Sequence, residues 1–357
     1  MILDDQKVFK KREILEVSES IDFLPDQLRQ VVGEYDRLRL PKTLKDINYV
    51  VVNGMGGSHI GIDILRSAFD SLLKVPILVV PGYDVPDYVN NKTLFVIASY
   101  SGGTEEPLVA YREAKKRGAK VVALVSDGDS KLSQLMKKDK ISGYVFSPKE
   151  NPSKMPRLGL GYSIFGLASI LGKLGLFKIE PESLESIIDK MELWDRQLNP
   201  NSPTKNNVAK KLAIKIHGKA PVLAAAEFLA GNMQALRNQI NETAKNFSLY
   251  LNLPDMNHYA MEGLAFPKAI KKQLLFCFFE SDLYHPRLKK RFELTKIVVQ
   301  KNGIKTLNYK MTGESKIEQA LELLQLGSWV SLYLGVLNKV NPKDIKWVDW
   351  FKKELGS

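Results

Sequence analysis

The chain has 357 residues, 44% of them hydrophobic and 26% charged, which suits two domains with ordinary cores and excludes a generally disordered protein. Its formal net charge of +12 could point to nucleic acid, but the short basic groups at residues 115–117, 137–140 and 289–291 are interleaved with acids and read as solvated helix faces. One cysteine, Cys277 in an apolar run, excludes an intramolecular disulfide, and four histidines without HxxxH or HxH spacing suggest no metal site.

The first residues, MILDDQKVFKKREILEV, lack the apolar core of a signal peptide. No apolar stretch approaches the ~18 residues that would argue for a membrane span. A cytoplasmic protein is expected, with neither a membrane nor a nucleic acid as partner.

Helical spacing of Ile14, Leu15, Ile21, Phe23, Leu24, Leu28 and Val31 fills the first segment, residues 1–45. A regular alternation follows. Residues 46–58 read as a strand entering a glycine loop, 59–74 as a helix and 75–82 as a strand. Residues 93–106 are a strand entering a second polar loop, and 107–118 a helix stopped by Gly118. Residues 120–127 are a strand, 132–138 a short helix and 143–148 a last strand. Residues 199–206, rich in Asn, Pro and Ser, read as a linker.

After the linker the pattern restarts, with strands at 220–228, 271–281 and 306–311 and helices at 229–247, 285–303 and 317–338. Strands that are apolar throughout, separated by amphipathic helices, predict α/β domains built on doubly wound, mostly parallel sheets. The expected domains are residues 46–198 and 207–357. No close repeat links the halves, so a duplicated fold rests on pattern alone.

Two loops could carry chemistry. Asn53-Gly54-Met55-Gly56-Gly57-Ser58 lies where a strand gives way to a helix, and glycines there let backbone N–H groups approach an anion. A dinucleotide fingerprint would need glycine where His59 stands, and no acid follows the next strand. That loop alone is equally a tight turn without ligand. The second loop, residues 99–106 (SYSGGTEE), decides the matter. An N-cap accounts for Thr104 with Glu105 and Glu106 behind it, but not for Ser99 and Ser101. Hydroxyls and amides converging in this way suit a phosphate monoester held without lysine or metal.

GMGGSHIGID, SYSGGTEEPL, MPRLGLGY, NQINETAK and LPDMNHYAMEG, in this order, resemble the bifunctional phosphoglucose/phosphomannose isomerases, a branch of the phosphoglucose isomerase superfamily built from sugar-isomerase (SIS) domains. The resemblance implies two SIS domains and an aldose–ketose isomerase that needs no metal or cofactor. It also implies that Gly56, Gly57, Ser58, Ser99, Ser101 and Thr104 hold the sugar phosphate. Glu242 matches the family's proton-transfer base, and a carboxylate can return a proton to either carbon of a planar cis-enediolate. His258 matches the ring-opening histidine, which in relatives comes from the neighbouring subunit of a homodimer. Arg157 matches the arginine that stabilises enediolate charge. Lys352 is the candidate for a C-terminal site lysine, with Lys353 beside it.

The chain departs from the family pattern at Tyr259 and Ala260 after the histidine, at His59, and at Asn341-Pro342-Lys343-Asp344. In relatives a threonine near the last of these is associated with handling both C2 epimers, so the resemblance implies mannose 6-phosphate turnover less securely than glucose 6-phosphate turnover. The departures also leave open another SIS-domain isomerase, or a sugar-phosphate sensor without turnover. His59, His217 and His285 have no catalytic context and read as structural.

Overall fold

A computed structural model describes residues 1–356. Helices α1 (Gln6–Phe9), α2 (Arg12–Asp22) and α3 (Leu24–Glu34) precede β1 (Tyr49–Gly54). There follow α4 (Gly57–Ala68), β2 (Ile77–Val79), β3 (Thr93–Ser99), α5 (Glu105–Lys116), β4 (Lys120–Ser126), α6 (Lys131–Asp139), β5 (Ser142–Phe146) and α7 (Leu160–Lys173). Next come α8 (Pro181–Leu198), α9 (Val208–Ile216), β6 (Ala220–Ala226), α10 (Ala230–Ala244), β7 (Leu249–Leu253), α11 (Ile270–Gln273), β8 (Leu274–Glu280) and α12 (Pro286–Lys301). The chain closes with β9 (Lys305–Lys310), α13 (Lys316–Leu337) and α14 (Lys346–Leu355).

The chain forms two compact units. Residues 22–189 group with the segment from Ile345, and residues 1–21 group with 190–344. These limits differ from the boundaries read off the linker: α14 falls with the first sheet, not with the second.

In the unit of residues 22–189, five parallel strands run in the order β2-β1-β3-β4-β5. Alternate residues of each strand face opposite sides. Val51, Phe95, Ile97, Ala123 and Val125 are buried against Ala110, Tyr111 and Ala114 of α5 and Leu132 of α6. Removing a side chain of this size from water contributes roughly 1.5–3 kcal/mol. The other face is covered by α4 and α7; Gly61 lets α4 approach α7, and Gly166 lets α7 approach the sheet. A Cβ on Gly61 would stand 2.0 Å from Ser163 Oγ, and one on Gly166 would stand 2.7 Å from the Tyr144 ring.

The other unit holds four parallel strands in the order β7-β6-β8-β9. Leu223, Cys277, Phe279 and Leu307 share one interior gap with Leu212 of α9, Leu236 and Ile240 of α10, and Leu326 of α13. Phe276 and Phe278 point to the opposite face, where Phe292 of α12 packs on Phe278 with centroids 6.1 Å apart. Cys277 is thus a buried strand residue, and burial pushes its thiol up to about 12, far from nucleophilic use.

One expectation is corrected. α13 is long and apolar enough to cross a membrane, contrary to the reading that no such stretch exists. Its apolar window is 94% buried inside the protein, so it is a core helix.

Candidate active site

In an open sheet of this order the strand sequence reverses between β1 and β3, and the crevice outside their carboxyl ends is the favoured ligand position. Both polar loops leave the sheet there. The strands close up because β1 ends in Gly54, where a Cβ would lie 2.6 Å from the Ala98 carbonyl oxygen. Gly56 takes φ +52°, which turns the chain into α4. Gly57 lets a third segment in: a Cβ there would stand 2.6 Å from the Pro156 carbonyl carbon and 2.8 Å from the Arg157 nitrogen.

Hydrogen bonds lock the loops and orient their hydroxyls. Ser58 Oγ accepts from the Tyr100 N–H (2.8 Å). Ser99 Oγ donates to Thr104 Oγ1 (2.9 Å), and Ser101 Oγ accepts from the Gly103 N–H (3.4 Å). An oxygen already used as an acceptor keeps its own hydrogen to give away. Ser58, Ser101 and Thr104 therefore each retain an O–H to donate. Thr104 occupies the N-cap position of α5 but makes no side-chain cap bond. The N-cap reading thus does not account for its hydroxyl.

Arg157 lies in a short 3-10 turn, Pro156–Leu158, and is 2% exposed. α3 holds this segment in place, since Gln27 Nε2 donates to the Leu158 carbonyl (2.8 Å) and Gln27 Oε1 accepts from the Gly161 N–H (3.1 Å). Tyr100 joins the same network: its hydroxyl accepts from Asn151 Nδ2 (2.7 Å), which also donates to the Met155 carbonyl (3.0 Å). Burial pushes the Tyr100 phenol up to about 12, opposed by the bond from Asn151. Sequence reasoning passed over Tyr100, although its place between two serines was a usable signal.

His59 keeps its structural role. Its Nδ1 sits 3.2 Å from Asp63 Oδ2, while Asp63 Oδ1 accepts from Arg66 (3.0 Å).

The unit of residues 22–189 therefore brings the two loops and Arg157 together, and α14 with Lys352 and Lys353 belongs to the same unit. Both lysines lie in the last turn of α14, on the side away from Trp347, Phe351 and Leu355.

Glu242 and His258 belong to the other unit, which does not bring them together. Glu242 is on the last turn of α10, whose Asn241 Nδ2 donates to the Ser248 carbonyl (3.0 Å) at the entrance of β7. His258 follows β7, and its neighbour Asn257 is tied to α12 by bonds to Thr295 (2.8 Å) and Arg291 (3.3 Å). α10 and α12 cover opposite faces of the second sheet, so their axes are on the order of 20 Å apart.

The corresponding crevice of the second sheet, between β6 and β8, is filled. Tyr284 OH accepts from the Ala226 N–H (3.2 Å) and donates to the Phe279 carbonyl (3.2 Å), and Phe228 packs against its ring at 5.4 Å. Glu227, the residue after β6, takes φ +47° in the turn into α10.

Two parallel sheets of this kind, the first with serine- and glycine-rich loops at its reversal point, define a two-domain protein of the SIS class. The family described as bacterial phospho-glucose isomerase C-terminal SIS domain matches residues 205–355. The tagatose-6-phosphate ketose/aldose isomerase of Escherichia coli has the same fold, with TM-score 0.72 and 15% identity over 92% of this chain and 94% of that one. The bifunctional phosphoglucose/phosphomannose isomerase of Caldicellulosiruptor bescii is 30% identical over 95% of this chain and 98% of its own. The protein of that name from Aquifex aeolicus is 29% identical over 91% and 97%. The chain belongs to the bifunctional phosphoglucose/phosphomannose isomerase family and is an isomerase.

Proposed function

We propose that the protein interconverts glucose 6-phosphate, and mannose 6-phosphate, with fructose 6-phosphate through a cis-enediol, as a cytoplasmic homodimer. What supports this reading is that both serine- and glycine-rich loops leave the first sheet at its reversal point, tied together by the Ser58–Tyr100 bond, with Gly57 against the Pro156–Arg157 backbone. In it the unit of residues 22–189 binds the phosphate through Gly56, Gly57, Ser58, Ser99, Ser101 and Thr104. Neutral donors suffice for a dianion because the α4 and α5 amino termini add positive potential.

Glu242, from the unit that holds the second sheet, moves the proton between C1 and C2. His258 protonates the ring oxygen as the C1 hydroxyl loses its proton, which opens the ring. Arg157 balances the enediolate oxygen with a cation that stays charged at every working pH. Lys352, or Lys353, adds a second cation. Rotation about C2–C3 of the planar enediolate exposes its other face to the same base, which gives a route to the mannose epimer.

The placement of Glu242 and His258 on opposite faces of one sheet supports a shared site. Both can act on one sugar only if the histidine comes from a second copy. The test is a coupled assay with glucose 6-phosphate and mannose 6-phosphate on wild type and Glu242→Gln, with solvent deuterium incorporation at C2 followed in parallel. We expect turnover to fall by about 10²–10⁴ and deuterium uptake to fall with it. Uptake untouched by the substitution would remove Glu242 from the reaction. Fructose 6-phosphate binding without turnover in wild type would make the protein a sensor.

A further inference from the structure

The second sheet has an edge that carries none of the proposed phosphate-binding residues. Its four strands are parallel, so the segments entering them share one edge. Those segments, residues 214–219, 245–248, 266–273 and 300–305, hold eight lysines and no Asp, Glu or Arg. They therefore supply +8 of the chain's +12 from 24 residues. Bonds join them side by side: Asn246 Nδ2 donates to the Lys219 carbonyl (2.9 Å), and Lys219 Nζ donates to the Lys272 carbonyl (2.6 Å). The Lys271 side chain lies 3.7 Å from where a Cβ of Gly303 would stand. The nearest acid in sequence is Glu242, one turn before Lys245 on α10.

Two phenylalanines protrude from the same edge, Phe247 at 67% and Phe266 at 70% exposure. Large aromatic side chains left in water beside a row of lysines match the interface of a bilayer, where rings enter the acyl boundary and cations meet headgroups. The absence of arginine argues against a nucleic-acid surface, since bidentate phosphate and base contacts rely on its planar fork. Lysine, a compact point charge, suits a diffuse anionic layer.

We propose that this edge docks the protein reversibly on an anionic bilayer, with Lys219, Lys245, Lys268, Lys271 and Lys272 at the headgroups and Phe247 and Phe266 inserted. This revises the expectation that no membrane is a partner, and it stands independently of the isomerase reading.

The test is co-sedimentation of the full-length protein with phosphatidylcholine vesicles, with or without about 30 mol % phosphatidylglycerol, at about 0.1 M salt. Binding is expected on the anionic vesicles only, with release at about 0.5 M salt, where charge is screened within a few ångströms. Lys268→Glu, Lys271→Glu and Lys272→Glu together should lower the partition by at least about tenfold while kcat and KM stay as in wild type. Phe247→Ser with Phe266→Ser should lower what remains bound at intermediate salt. No binding, equal binding to neutral vesicles, or binding indifferent to salt would overturn the proposal, and these readings need no variant. A single-stranded oligonucleotide that strips the protein from vesicles would assign the edge to nucleic acid. A change of oligomer mass in the phenylalanine variant would assign it to a contact between copies.

Discussion

Tyr100 fastens three segments at once. Its N–H reaches Ser58, its carbonyl accepts from the Ser126 N–H (3.2 Å) and hydroxyl (2.7 Å), and its phenol meets Asn151. Tyr100→Phe keeps the backbone bonds to Ser58 and Ser126 and should loosen only the Asn151 anchor of the Arg157 segment. A stability loss of about 1 kcal/mol is expected, since one buried bond goes and Asn151 loses a partner. The KM for sugar phosphate should rise in the same variant, and chemical denaturation with steady-state kinetics checks both. The raised phenol has a pH consequence. The folded state keeps Tyr100 neutral to about 12, while the unfolded chain ionises near 10, so its contribution is complete below pH 10 and lost as pH rises through about 12. Alkaline unfolding in that window should be shallower for Tyr100→Phe than for wild type, and an unchanged slope would contradict the assignment. Gly57→Ala puts a methyl group against the Pro156–Arg157 backbone, which should cost about 1–3 kcal/mol and impair substrate binding. The serines, the threonine and the glycines were legible as a motif. Tyr100 was not, because its role lies in contacts with residues 58, 126 and 151, which sequence order does not bring together.

At the scale of elements, apolar strands and amphipathic helices were legible by their spacing, and even β9, with only Leu307 buried, was read. β7, a five-residue edge strand with only Leu253 fully buried, went unread although four of its residues are apolar. α13 is apolar all round because the unit encloses it. Its one deeply buried acid, Glu322, accepts from the Tyr309 hydroxyl (2.8 Å), the Thr312 N–H and hydroxyl (2.9 and 2.8 Å) and the Gly313 N–H (2.9 Å). These bonds fix the turn from β9 into α13, and Glu322→Ala should destabilise by about 2 kcal/mol, read from denaturant unfolding. α14 behaves in the opposite way. None of its residues is buried, with Trp347, Trp350 and Phe351 exposed on its apolar side. Ending the chain at residue 345 should shift the melting temperature by no more than about 2 °C. If Lys352 acts in the site, the same truncation abolishes turnover, and Lys352→Ala reproduces the loss where Lys353→Ala does not. The reverse order would assign the role to Lys353.

For the whole molecule, the alternation of apolar strands and helices was enough to predict two parallel sheets. Which segments gather into each unit was not legible, since α14 joins the first sheet's unit through tertiary contacts that leave no mark on the local pattern. The basic edge was hidden for a related reason. Its lysines arrive from four segments dispersed between residues 214 and 305, and only the parallel pairing sets them in one row. The proposed site is hidden most of all, because Glu242 is on α10 while His258 follows β7 next to Asn257, which is bonded to α12 on the other face of the second sheet. Two copies related by a two-fold axis would each lend the other a histidine. A mixed dimer of Glu242→Gln and His258→Ala then contains one site with both lesions and one with neither. Refolding the two inactive variants together in equal amounts, and assaying glucose 6-phosphate turnover, tests this directly. The account predicts recovery of about a quarter of wild-type activity, from random pairing with one intact site in each mixed dimer. A mixture as inactive as its parents, with mixed dimers shown to form, would contradict it.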